Sequence, residues 1–127
     1  MPLRVELKPF ERLVIGDSVI VNSDTRICFL IEGDAPVLRE RDTVAEETAT
    51  TAARRLYYIV QMMYLKNDVG RYRAPYVAAV DALRRTLPRS LDLIDAVDRQ
   101  VAAGALYRAL RDIRTLMRHE ESLAVPT

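Results

Sequence analysis

The side chains in this sequence that could do chemistry are mostly arginines. Seventeen of the nineteen basic residues are Arg. A guanidinium makes planar, bidentate bonds with phosphates, carboxylates and base edges, which an ammonium cannot. In the amino-terminal third, Arg4, Lys8, Arg39 and Arg41 could together form a cationic edge for phosphates or planar anions. The same four could instead pair with Glu6, Glu11, Glu40 and Asp42 across neighbouring strands. Near the carboxyl end, Arg108, Arg111, Arg114 and Arg118 recur on one helical face, as a phosphate-tracking stripe or as a solvated one.

Other chemistries have little to stand on. A Ser/His/Asp set would need the one histidine, His119, which is expected exposed near a helix end. The one cysteine, Cys28, cannot form an internal disulfide. It lies mid-strand among apolar neighbours and reads as a buried, unreactive thiol. Asp92, Asp95 and Asp98 recur every third residue, but position 98 drifts off the face shared by 92 and 95, so a solvated face is expected. One Cys and one His cannot supply the common zinc ligand sets. Four glycines occur, with no GxGxxG or GxxxxGK phosphate cradle. No catalytic residue, metal or cofactor is expected.

The elements that must position the cations fall into two halves of different period. Strands are predicted over 3–7, 12–15, 18–21, 25–32 and 37–40, separated by the turn chemistries Gly16-Asp17, Asn22-Ser23-Asp24 and Gly33-Asp34-Ala35-Pro36. The segment Thr25 to Glu32 is apolar on both faces at its centre and reads as a central, doubly buried strand. Together these suggest a small antiparallel five-stranded meander. From about Thr50 the period becomes helical. Thr50 or Thr51 is a good N-cap for a helix reaching about Leu65, whose Tyr57 to Tyr64 stretch of tyrosines and methionines reads as core or as a partner groove. A second helix is expected between Val69 and Leu87, starting or kinking near Pro75. A third follows Ser90, and Gly104 either separates a fourth or interrupts a longer third. In the last segment Leu106, Leu110, Ile113 and Met117 step by 4, 3 and 4, a coiled-coil-like seam suited to a partner or a second copy. A frayed tail is expected from Ser122.

Composition bounds the classes. The chain has 127 residues, 50% apolar and 29% charged, which suits one compact domain with a β subregion to residue 45 and a helical subregion from 46 to 121. The net charge of +1 announces no strong field toward nucleic acid or membrane. Residues 1–45 carry six basic against eight acidic side chains, and residues 46–127 carry thirteen against ten. No apolar run approaches the roughly 20 residues of a membrane span. The start has no signal-peptide core, and with a single cysteine a cytoplasmic location is expected.

Several strings resemble a known family. L-K-P-x-E-x-L-V-I-G-D from Leu7 to Asp17, A-P-V-L-R-E-R-D from Ala35 to Asp42, T-T-x-A-R-x-x-Y from Thr50 to Tyr57 and M-M-Y-L from Met62 to Leu65 are similar to the FlbT family of alphaproteobacterial flagellin-mRNA regulators. The likeness spans the chain and loosens after Leu65, where Tyr107 to Leu110 still resembles the family. It implies a non-enzymatic regulator acting on the 5′ untranslated region of flagellin mRNA. A second resemblance concerns the strand half. Pro9-Phe10-Glu11-Arg12-Leu13-Val14-Ile15-Gly16-Asp17 is similar to the V-G-E-x-L-x-I-G-D of the carbon-storage-regulator (CsrA) family, and Thr25-Arg26-Ile27 with Ala35-Pro36 and Val37 to Glu40 to its V-R-I, A-P and V-H-R-E. That likeness implies an RNA groove between the first and last strands, with Lys8 and Arg39 at the matching positions. Leu38 stands where that family has His.

These readings converge on an α+β protein that binds the flagellin mRNA 5′ leader through Arg4, Lys8, Arg39 and Arg41. Its helices would serve assembly or partner contacts through Leu106, Leu110, Ile113 and Met117. The rival reading is an adaptor that grips flagellin or another flagellar protein and affects the mRNA indirectly. Neither reading involves a membrane, and small sheets with uncovered edges leave a homo-oligomer open.

Overall fold

The computed structural model describes residues 2–124 and has an α+β fold. Five antiparallel strands in two sheets are followed by four α-helices. The chain divides after Thr43 into two compact units.

The first unit holds β1 (Leu3–Leu7), β2 (Arg12–Ile15), β3 (Ser18–Val21), β4 (Ile27–Ile31) and β5 (Val37–Arg39). In β1 the alternation of strand side chains turns Val5 and Leu7 inward and leaves Arg4 and Glu6 exposed. Val5, Leu7 and Leu13 form the core, with Ile15, Phe29, Ile31 and Val37 packed against it. Gly16, at φ +56°, closes the tight β2–β3 hairpin in which Ile15 faces Ser18.

The strand order differs from a simple meander: β1 pairs with β4, and β2 lies between β3 and β5. Among the described residues only β2–β3 is a sequential hairpin. Asn22 stands where the chain leaves that hairpin. Its side-chain amide donates to the carbonyls of Lys8 and Thr25, each at 2.8 Å, and of Leu7 at 3.2 Å. It thereby ties the end of β1 to the β3–β4 connection without a ladder. The expectation of a central, doubly buried fourth strand is corrected here. β4 pairs on one side only, Leu30 is 61% exposed, and the Cys28 thiol is exposed rather than buried. Replacing Asn22, itself buried, by Ala strips three carbonyls of a donor. The expected loss is about 2–3 kcal/mol, read as a lower urea midpoint at unchanged slope.

The second unit holds α1 (Ala52–Lys66), α2 (Arg73–Thr86), α3 (Leu91–Ala102) and α4 (Leu106–Ala124). Thr51 caps α1 by accepting from the Arg54 N–H at 3.2 Å, and Asn67 ends it in the left-handed conformation. Pro75 falls in the first turn of α2, where a missing N–H costs nothing. Gly104, at φ +78°, separates α3 from α4. α1 packs against α2 and α4, and α4 against α3. Tyr57, Leu56, Val60 and Met63 of α1 are buried, so the tyrosine–methionine stretch is largely core. The helix α4 continues through Ala124, past Ser122 where a tail was expected to begin; residues 125–127 of that tail lie outside the described residues. Among the described residues no helix is long and apolar enough to cross a membrane.

Candidate nucleic-acid interface

The register of the β-unit decides which cations meet. Leu7 faces Ile27 across β1–β4, so the residues just beyond, Lys8 and Arg26, leave the ladder at the same end. Leu13 faces Arg39 across β2–β5. The result is a shallow cleft of about 170 Å³ lined by Lys8, Arg26, Arg39 and Arg41 together with Glu6, Leu7 and Glu11. Four cations thus share the cleft with two carboxylates.

Within it the cations are not equivalent. Arg39 is half-buried and spent on structure: its Nη1 donates to the Glu6 carbonyl at 3.0 Å and to Glu11 Oε1 at 3.1 Å. The same Glu11 oxygen accepts the Lys8 backbone N–H at 3.1 Å. That bond, reinforced by the Arg39 charge, holds the Glu11 carboxyl below its ordinary range, so it stays ionised and keeps Arg39 in place. Lys8, Arg26 and Arg41 are exposed at the cleft with their charged ends in reach of solvent. An exposed ammonium or guanidinium of this kind can bind a phosphate.

Of the four cations singled out in the sequence, the structure gathers Lys8, Arg39 and Arg41. Arg4 points elsewhere: its Nε lies 3.2 Å from Cys28 Sγ on the exposed face of β1–β4. The cross-strand pairing weighed as an alternative is partly realised, by Arg39 with Glu11 and, at 3.6 Å, by Arg12 with Glu40. The second of these is half exposed and contributes little. Sequence reasoning missed Arg26 as a site residue. Its signals were its place in the Thr25-Arg26-Ile27 string and one residue before β4, and these become informative only once β4 is known to pair with β1.

The helical candidates serve the unit's own packing. Leu110 and Ile113 are fully buried with Ala109 and Leu116, and Leu106 and Met117 are half-buried, so the seam faces α1 and α3. From the arginine stripe, Arg114 bonds Tyr57 Oη at 3.2 Å and stacks over its ring, while Arg108, Arg111 and Arg118 are exposed. Asp95 pairs with Arg84, and Asp98 accepts from Tyr76 Oη at 2.7 Å, which fastens α3 to α2. Exposed His119 bonds Ser90 Oγ through Nδ1 at 2.9 Å, joining α4 to the start of α3.

Comparison with known proteins points the same way as the strings in the sequence. A family model described as "Flagellar protein FlbT" matches residues 3–124. The "Probable flagellum biosynthesis repressor protein FlbT" of Rhodopseudomonas palustris strain TIE-1 is 53% identical over 123 residues, covering 97% of this chain and 98% of that protein. The "Flagellum biosynthesis repressor protein FlbT" of Caulobacter vibrioides strain ATCC 19089 is 33% identical over 125 residues, covering 95% and 88%. No solved structure matches.

Proposed function

This chain belongs to the FlbT family, and from that premise we propose that it is a non-enzymatic repressor of flagellum biosynthesis that binds the 5′ untranslated region of flagellin mRNA. It controls translation or decay of that message in the cytoplasm, without metal or cofactor. The observation that carries this reading is the cleft: Lys8, Arg26 and Arg41 stand exposed around an Arg39 already fixed by Glu11. Such an arrangement offers exposed cations for phosphates. The modest net charge fits a binder of a short leader segment, because three or four local contacts suffice where a duplex-tracking protein needs many.

The test is direct binding of the purified chain to a fluorescently labelled flagellin 5′ leader, with a scrambled RNA of equal length as control. Tighter binding to the leader than to the scrambled RNA is expected. Equal or absent binding would reject the reading and favour an adaptor that holds flagellin or another flagellar protein.

A further inference from the structure

Between Lys8 and Glu11, the two cleft residues at the end of β1 and the start of β2, the chain makes a four-residue turn. The Lys8 carbonyl accepts from the Glu11 N–H at 3.1 Å, with Pro9 at the second place and Phe10 at the third. Phe10 has φ +63°. Proline followed by a positive φ is the pattern of a type II turn, whose third position suits glycine or asparagine. A phenylalanine there is a steric outlier, since its Cβ crowds the neighbouring carbonyl. Burial does not offset the strain: Phe10 is 71% exposed, more than any other large apolar residue among the described residues. The Phe10 N–H is tied to the Ser23 carbonyl at 2.8 Å, which fixes the turn whether or not anything covers the ring.

An exposed aromatic held in a strained, over-determined turn beside a cationic cleft has a direct use. Bases splayed from a single strand stack on aromatic faces while their phosphates sit on cations. We infer that Phe10 is a base-stacking platform: a nucleobase of the RNA lies on its ring while flanking phosphates engage Lys8, Arg26 and Arg41. This rests on the RNA-binding reading above and adds to it the residue that grips a base. Strain at such a site is stored in the free protein and used in the complex.

The chain contains no tryptophan, so Phe10→Trp introduces a single reporter. Three proteins are compared on the labelled leader: the natural chain, Phe10→Trp and Phe10→Gly. The expected result has three parts. The tryptophan variant, which keeps an aromatic face, binds the leader and its emission is quenched on saturation. The glycine variant binds the leader about 10-fold or more weakly, the loss of one stacked base. Its thermal midpoint stays equal or rises, because glycine relieves the positive φ. Full-affinity binding by Phe10→Gly, or unquenched emission from leader-bound Phe10→Trp, overturns the inference while leaving the cleft reading intact. A lower midpoint for Phe10→Gly would make the ring a packing group and also overturn it. Failure of the natural chain to bind the leader removes the RNA-binding reading and the inference together.

Discussion

A chain carrying Lys8→Glu, Arg26→Glu and Arg41→Glu loses flagellin-leader affinity by a factor of about 100 or more. Each reversal removes one cation from the cleft and places a carboxylate where a phosphate would bind. At about 1 kcal/mol or more per lost charge-assisted contact, three contacts exceed the 2.8 kcal/mol or so that separates affinities by 100-fold. All three side chains are exposed, so the fold should survive, and the variant should melt within a few degrees of the natural chain. Arg39→Ala is expected to behave differently. It too weakens binding, but through Glu11: that carboxylate loses its cationic partner, keeps only the Lys8 N–H, and adds uncompensated negative charge to the cleft. It should therefore also lower the melting point, which the triple variant should not. Leader binding unchanged in the triple variant would place the RNA elsewhere on the molecule.

The largest effect on stability is expected from Ile113→Asp. Ile113 is fully buried on α4 together with Leu110 and Leu116. A carboxylate there has no water, and an unpaired buried charge costs several kcal/mol on top of the lost apolar contact. Small domains are stable by only about 5–15 kcal/mol, so the helical unit should be largely unfolded or molten. The measurement is far-ultraviolet circular dichroism through a thermal scan, where the cooperative helical transition should broaden or disappear. Arg108→Ala, on the exposed side of the same helix, should change stability by no more than about 0.5 kcal/mol. A cooperative transition retained in Ile113→Asp would mean that the seam is not part of this unit's core.

Much of the fold is legible in the residues because its punctuation is local. Gly16-Asp17, Thr51, Pro75 and Gly104 each fix an element boundary through backbone preferences that need no tertiary context. What local signals cannot give is which strands pair. The segment from Thr25 to Glu32 is apolar on both faces, and that pattern suits a central strand or an uncovered edge equally well. The structure leaves one edge of the strand unpaired and covers only the face that carries Phe29 and Ile31, so Cys28 and Leu30 on the other face are exposed. The same ambiguity hid Arg26, because Lys8 and Arg26 become neighbours only through the long-range β1–β4 pairing. The α4 seam shows a related limit. A 4-3-4 apolar spacing announces a packed helix face but not whose helix packs on it, and here α1 and α3 of the same chain do. Phe10 was visible only as a residue in a string, since the positive φ that makes it unusual belongs to the folded turn.

The most direct test of RNA binding through the cleft is the salt dependence of leader affinity, measured by fluorescence anisotropy on the natural chain. Three phosphate contacts with a single strand give a slope of log K against log salt near −2, about a 20-fold loss of affinity between about 50 and 200 mM salt. Arg41→Ala should make that slope shallower by about 0.7. A flat dependence, or a slope that Lys8, Arg26 and Arg41 do not influence, would contradict RNA binding through this cleft.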